Sequence, residues 1–324
     1  MKAVIYKSYG GPEMIKTIDL PKQEVPSGKI LIRVHCSSVN PIDWKIASGK
    51  YWPILRANFP QIPGFDVSGE VVSCGPGIQG FKSGDRIHAC LADSGAAAEY
   101  CLATPDMIAH MPETMDFPTA AGLPLAGMTA LQGLRDKGGM PLQNSNQRIL
   151  VIGASGGVGH FAIQIAHAAG ATVIGVCSAR NLDMVKSLGA NQVIDYSSPN
   201  PYKDLASCDI IFDCVGQPSA QWLNHLKSGG RFISTIPTPS LMLCGFNPCS
   251  DKKVGAIFLK ANSDDLRILD DLYRAGKLIA VTKHFPLEEM KEAWELSISG
   301  RSIGKIIIDI HKDALSDAKN QELR

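Results

Sequence analysis

The chain has no C-x-x-C pair, no long apolar run and no excess of charge of either sign. Its nine cysteines (Cys36, Cys74, Cys90, Cys101, Cys177, Cys208, Cys214, Cys244 and Cys249) are scattered and odd in number over 324 residues. That pattern speaks against a disulfide framework and for free thiols in a reducing, cytoplasmic compartment. No stretch approaches the roughly 18 apolar residues of a spanning helix, so no membrane span is expected. Lys plus Arg number 32 against 31 Asp plus Glu, which leaves no overall field to gather nucleic acid or an anionic membrane surface. The opening "MKAVIYKSYGG" is too short in apolar character for a signal peptide and unlike a Ser/Arg-rich transit peptide. Internal repeats and low-complexity tracts are also missing. What remains is an ordinary globular composition in a chain long enough to divide into two domains.

The first hundred residues read as short strands separated by Gly and Pro turns: "KAVIY", "KILIRVHCSSV", "VSGEVVSCG", "DRIHACL" and "AAEYCLA". Their period-two alternation argues an antiparallel, partly closed β structure. From about Pro118 the character changes. "FPTAAGLPLAGMTALQGL" is helical in composition, and then strands alternate with helices: "RILVIG", "GHFAIQIAHAAG", "ATVIGVCS", "NLDMVKSLGA", "QVIDY", "CDIIFDCVG", "SAQWLNHLKSGG" as a helix, and "RFISTI". Such alternation gives a doubly wound parallel sheet. After about Phe258 come a helix "NSDDLRILDDLYRAG", a strand-like "LIAVTKHFP", a helix "LEEMKEAWELSISG" and a last strand "GKIIIDI", which is expected to return to the first domain. The polar tail "HKDALSDAKNQELR" has little to bury. The expected divisions are 1–119, 120–257 and a return segment 258–324.

One turn carries chemistry. Within "RILVIGASGGVG" the residues Gly153 to Gly159 spell G-x-x-G-G-x-G between a strand and a helix. Glycine is needed where backbone turns sharply and where it must approach a pyrophosphate, and the helix N-terminus offers free N–H groups and positive dipole. Ser155, Gly156, Gly157 and Val158 are therefore candidate dinucleotide contacts. A P-loop is excluded because no Gly-Lys-Ser/Thr follows. The next strand ends in Cys177, Ser178, Ala179 and Arg180, with no carboxylate before Asp183. A carboxylate there would accept from a free ribose 2′-hydroxyl, whereas a hydroxyl and a guanidinium suit a 2′-phosphate. NADPH is expected over NADH.

With these motifs in hand the chain resembles the medium-chain dehydrogenase/reductase superfamily, specifically its zinc-free quinone oxidoreductase branch. The resemblance rests on "SSVNPIDWKIASGKY", "IPGFDVSGEVVSCGPGIQGFKSGDRI", "GMTALQGL", the glycine turn with its flanks, "LGANQVIDY", "FDCVG" and "GKIIIDI". "CSARN" before "LGANQVIDY" is similar to the branch of chloroplast-envelope quinone oxidoreductase homologues and related enone reductases. With no plastid-targeting segment read at the N-terminus, a bacterial or cytosolic relative is expected. The fold so implied is α/β: a GroES-like, partly closed β-barrel domain plus a Rossmann doubly wound parallel-sheet domain, with the cleft between them and a homodimer as the assembly. Where alcohol-dehydrogenase relatives hold zinc with a Cys and a His-Glu pair, this chain has Asn40 and Phe65-Asp66. Asn and Phe bring neither the thiolate nor the imidazole that zinc prefers. The four-cysteine structural lobe is missing too, and His88-x-Cys90 supplies two ligand types, which do not make a site. No metal is expected.

Without a Lewis acid the fitting acceptor is conjugated, a quinone or an α,β-unsaturated carbonyl, which spreads incoming charge over oxygen. By the resemblance, Asn40 is either an amide donor to a substrate oxygen or a turn residue before Pro41. Tyr51 borders the cleft as a hydrogen-bond or proton donor, or packs as an ordinary aromatic. Thr129, Tyr196, Val215, Phe258 and Lys260 are implied cofactor neighbours. Trp44, Trp52, Tyr51 and Phe65 are either an apolar mouth for a flat acceptor or core. Two further readings stay open: a zinc-independent alcohol or aldehyde dehydrogenase, and an NADPH-binding structural or RNA-binding protein with little turnover. "PTPSLMLCGFNPCSDKK", rich in proline, is expected to move over the cofactor.

Overall fold

Seven strands precede the first long helical stretch: β1 (Lys2–Ile5), β2 (Lys16–Asp19), β3 (Ile30–Val39), β4 (Asp66–Cys74), β5 (Arg86–Cys90), β6 (Tyr100–Ala103) and β7 (Ile108–His110). The glycine-turn region supplies β8 (Arg148–Ile152), β9 (Thr172–Cys177), β10 (Gln192–Asp195), β11 (Cys208–Asp213), β12 (Leu226–Ser234) and β13 (Lys253–Ala256). The chain closes with β14 (Thr282–Pro286) and β15 (Lys305–Asp309). The computed structural model describes residues 1–52, 55–203, 205–216, 220–236 and 251–311. Both the polar tail from Lys312 and residues 237–250 of the expected moving segment lie outside them.

Contacts divide the chain into two units, one of residues 1–125, 261–271 and 280 onward, the other of residues 126–260 and 272–279. In the first, a seven-stranded sheet runs β14-β15-β3-β4-β5-β7, with β6 also paired to β3. All its pairings are antiparallel except β14 with β15. β15 is buried along its whole length against β3, so the last strand does return to the first unit as its sequence predicts. Its "IIID" run suits a central strand covered on both faces. Gly69 on β4 is required, because an added Cβ would come within 3.0 Å of the Arg33 carbonyl carbon. The core here is Ile30, Ile32, Val34, Val67, Val71, Ile87 and Ile108, with a second cluster around Tyr6, Trp294 and Ile308.

The second unit is a six-stranded parallel sheet in the order β10-β9-β8-β11-β12-β13. Numbered from β8, that is 3-2-1-4-5-6, the dinucleotide-binding order, whose ligand edge is the carboxyl ends of the strands beside the β8–β11 switch point. The helix Gly159–Ala168 is buried over Gly159 to Ala166 and packs on β8 and β9.

Local departures from the sequence pattern have physical causes. The stretch "SAQWLNHLKSGG" is helical only over Ala220–Asn224, because Leu226 buries beside Cys208 and begins β12 through an irregular register. The helical run after Asp116 breaks at Pro124, which has no N–H to donate, into Phe117–Gly122 and Pro124–Gln132. It ends in a π turn over Gly133–Lys137, where a Cβ on Gly133 would lie 2.6 Å from the Phe212 ring. The strands β2, β7 and β13, which pair with β1, β5 and β12, carry no alternation strong enough to be read beforehand. Among the described residues no helix is long and apolar enough to cross a membrane.

Candidate active site

The carboxyl ends of β8, β9, β10 and β11 gather most of the expected cofactor residues in the second unit. After β8 the backbone turns at Gly153 with φ of +77°, a conformation that favours glycine. A Cβ on Gly159 would lie 2.8 Å from the Ala154 Cα and closer still to the Gly153 carbonyl oxygen, whereas one on Gly156 would meet only the Gly153 carbonyl oxygen, at an ordinary 3.4 Å. Glycine thus packs the turn tightly on its inner side and leaves its outer side bare. Gly157 and Val158 enter the helix where amides have no intrahelical acceptor, as a pyrophosphate cradle needs.

Ser155 and Ser178 come together through a residue the sequence reading passed over. Asn181 is buried, and its Nδ2 donates to Ser155 Oγ at 3.0 Å and to Ser178 Oγ at 3.2 Å. With their oxygens accepting from one amide, both hydroxyl hydrogens are available to a ligand. Arg180 is exposed beside them. The Tyr196 amide donates to the Cys177 carbonyl at 3.1 Å, which places that exposed residue at the same edge. The signal for Asn181 lay in "CSARN", where Asn precedes a helix and caps or turns are its usual work.

At the end of β11, Asp213 is fully buried and receives the amides of Val215 at 2.9 Å and Gly216 at 3.1 Å and the Ser234 hydroxyl at 3.0 Å. Burial pushes its carboxyl up, partly offset by those donors. This holds Val215 against the glycine turn, where a Cβ on Gly153 would lie 2.7 Å from its Cγ2. Phe258 is 64% exposed just beyond β13. Lys260 is anchored through its backbone: Gln132 Nε2 donates to its carbonyl at 2.8 Å and Gln132 Oε1 accepts from its amide at 3.0 Å. Thr129, one helical turn before Gln132, is buried at 7% exposure. These residues fit a dinucleotide: a glycine cradle, paired hydroxyls, and exposed Tyr196, Val215 and Phe258; β9 itself ends without a carboxylate, and Asp195, opposite Cys177 on β10, is engaged by the Ser197 amide and hydroxyl and the Ala179 amide.

The first unit holds a buried polar network. Asn40, at 2% exposure, follows β3 and caps the start of the helix Pro41–Ala47. Its Nδ2 donates to Asp66 Oδ2 at 2.8 Å and reaches Ser38 Oγ at 3.5 Å, and its Oδ1 accepts from Lys305 Nζ at 2.5 Å. Asp66 also receives the Ser38 hydroxyl at 2.5 Å, the Leu125 amide at 2.7 Å and Lys305 Nζ at 3.2 Å. Lys305 was not singled out in "GKIIIDI". A strand residue at the edge of an apolar run reads as solvated, and only the sheet shows it 2% exposed. Asp43 accepts the Asn40 amide at 2.7 Å and the Gly64 amide at 3.3 Å. Burial, reinforced by the nearby Asp66 charge, raises its carboxyl to about 7 against the pull of those donors and of Lys305.

Tyr51 is half-buried in a turn, and burial raises its phenol. Its hydroxyl has no hydrogen-bond partner among the described residues. Trp44 does not join it. Its indole donates to Ser297 at 3.0 Å and it packs with the Trp294 cluster, whereas Trp52 is 61% exposed. His88 and Cys90 are both buried. The His88 ring lies between the Ala120 carbonyl at 3.4 Å and the Asp270 carboxylate at 3.3 Å, so both nitrogens have partners within the core. Among the described residues no group of three or more His, Cys, Asp or Glu could hold a metal ion.

Comparison with known proteins agrees with this geometry. Residues 26–113 match the family model of the alcohol dehydrogenase GroES-like domain, and residues 188–308 that of the zinc-binding dehydrogenase. The chain is 36% identical over 324 residues to the chloroplast envelope quinone oxidoreductase homolog of Arabidopsis thaliana, covering 95% of this chain and 98% of that one. It is 31% identical over 324 residues to the chloroplastic NADPH-dependent alkenal/one oxidoreductase of the same plant, covering 95% and 79%. The solved quinone oxidoreductase from Coxiella burnetii superposes with a TM-score of 0.88 at 32% identity, covering 96% and 99%. The glycine-turn edge, the Rossmann strand order and these relatives converge: the chain belongs to the quinone oxidoreductase branch of the medium-chain dehydrogenase/reductase superfamily, a family of NAD(P)-binding oxidoreductases.

Proposed function

We propose that this protein is an NADPH-dependent reductase of quinones or α,β-unsaturated carbonyls that works without zinc. Bound NADPH would supply the hydride, and the protein's own groups do the rest. Ser155, Gly156, Gly157 and Val158 hold the pyrophosphate. Ser178 and Arg180 take the 2′-phosphate beside Tyr196. Thr129, Val215, Phe258 and Lys260 border the rest of the cofactor. The observation that carries the cofactor preference is the end of β9, where two hydroxyls are oriented by Asn181, the strand itself carries no carboxylate before Asp183, and Asp195 of the neighbouring strand is already engaged by Ser197 and Ala179.

In the first unit, Asn40 offers its amide nitrogen to the acceptor oxygen as charge gathers there, and the unpartnered Tyr51 hydroxyl donates the proton that completes reduction. Residues 1–119 and 258–324 form the substrate domain in this reading, and residues 120–257 the dinucleotide domain. The relatives named for quinones and for alkenals or enones support the acceptor class. A homodimer and a reducing, cytoplasmic setting complete the proposal; the reducing setting is supported by cysteines that are all free among the described residues. Titration calorimetry with NADPH and NADH tests the cofactor reading. NADPH binding at least about tenfold tighter is expected, a difference of about 1.4 kcal/mol; equal affinities would refute it. Sedimentation velocity checks the dimer.

A further inference from the structure

The two positions where zinc-holding relatives carry ligands, Asn40 and Asp66, meet here on one ammonium. Lys305 Nζ lies 2.5 Å from Asn40 Oδ1 and 3.2 Å from Asp66 Oδ2, with lysine and carboxylate at 2% and 0% exposure. Lysine only donates. That contact, with the acceptor-only Asp66 carboxylate on the other side, sets which end of the Asn40 amide is which: oxygen toward Lys305, nitrogen toward Asp66 and Ser38. Asp66 carries three donors on Oδ2 and the Leu125 amide on Oδ1, and its ion pair among the described residues is with Lys305. A buried carboxylate without a counter-cation is costly, so the lysine does electrostatically what a metal would do at that place. The backbone delivers it by a constrained route. Gly304 has φ of +59°, an added Cβ there would lie 2.7 Å from the Val281 carbonyl carbon, and the Lys305 amide donates to the Val281 carbonyl at 2.8 Å.

We propose that Lys305 is a positioning residue, an internal cation brought in by the last strand. It balances Asp66 and locks the Asn40 amide with its nitrogen as the end that donates. The inference rests on the reading of Asn40 as the amide that meets the acceptor oxygen, and extends it to a group that never touches substrate. Asp66 and Lys305 hold the amide from its two ends: the carboxylate, which only accepts, takes the nitrogen at 2.8 Å, and the ammonium, which only donates, takes the oxygen at 2.5 Å.

Three variants test this, read by thermal unfolding, NADPH affinity and steady-state kinetics with a quinone. Lys305→Met strands the Asp66 charge and lowers Tm by roughly 6 °C or more. Adding Asp66→Asn removes that charge and restores at least about half of the loss by coupling of the pair. In this double variant, residue 66 turns its own amide nitrogen toward Asn40, and Asn40 flips so that its oxygen accepts. NADPH affinity stays within about twofold of the parent's, while kcat falls roughly tenfold or more with KM little changed. In an Asn40→Ala background the same two changes leave kcat where Asn40→Ala alone puts it. A double variant as unstable as Lys305→Met, or one with parental kcat, would overturn the proposal. If the parent itself reduces no quinone or enone, the functional reading falls, and the recovery of Tm in the double variant still decides whether Lys305 and Asp66 are the pair argued here.

Discussion

Asp43 makes the stability of the first unit depend on pH in a direction that can be worked out. Its carboxyl is raised from 3.8 to about 7, first by burial and then by the Asp66 charge. The folded protein thus prefers the neutral acid more than the unfolded chain does. The stability this contributes is fully present below about 3.8 and is lost as pH rises through about 7. Roughly three pH units at 1.36 kcal/mol each make it on the order of 4 kcal/mol. Asp43→Asn keeps the shape and cannot ionise. It sacrifices one of the two backbone donors that the carboxylate accepts from Asn40 and Gly64, which costs about 1 kcal/mol at any pH. The assay is urea unfolding of both proteins from pH 4.5 to pH 8, followed by fluorescence, to which Trp44, Trp52 and Trp294 of the same unit contribute. Other titrating groups are common to both proteins, including His284, which its hydrogen bond to Asp309 holds above the usual histidine range. The difference between the two proteins therefore isolates Asp43. The variant should be the less stable at pH 4.5 and gain on the parent by about 3 to 4 kcal/mol by pH 8. A gap that does not change with pH would refute the reasoning.

Gly159→Ala pushes a methyl into the backbone of Gly153 and Ala154, so the turn must open. NADPH affinity should fall at least about tenfold in calorimetry, and an unchanged affinity would mean the turn is not the cradle. Arg180→Asp replaces a guanidinium by the carboxylate that NADH-binding strands carry. The ratio of kcat/KM for NADPH over NADH should drop by roughly a hundredfold, checked by initial rates with both cofactors. Tyr51→Phe should lower kcat by about ten- to a hundredfold while leaving NADPH affinity alone, because its hydroxyl makes no bond among the described residues whose loss would destabilise the fold.

The parallel sheet was legible because its strands are apolar runs bounded by helices of the right length, and glycine spacing named the turn before any contact was known. The return of "KIIID" to the first unit was legible as well, since a fully buried run must find a sheet to enter. The short edge strands were not: "KTID" in β2 and "KVGA" in β13 bury too little to leave a pattern, and tertiary pairing alone makes them strands. At the candidate site the sequence named Ser155, Ser178 and Val215, which the structure places at the carboxyl ends of the strands, but it did not name Asn181 or Gln132, whose work is to hold other groups. Lys305 was illegible for a deeper reason. It lies 265 residues from Asn40 along the chain, and no local pattern states that a lysine at the start of a strand will be buried against a carboxylate. Asn40 and Asp66 were noticed through what they replace; only the folded chain shows what they now bind.

The function proposed for this protein is hydride transfer from NADPH to a conjugated acceptor without metal. The most direct test is NADPH oxidation by the purified, chelator-treated protein, run with a polycyclic ortho-quinone and with a short α,β-unsaturated ketone, and repeated with NADH. Turnover with at least one acceptor, surviving the chelator and preferring NADPH, is the expected result. Activity abolished by the chelator and restored by zinc, or NADPH binding with no turnover of either acceptor, would contradict it.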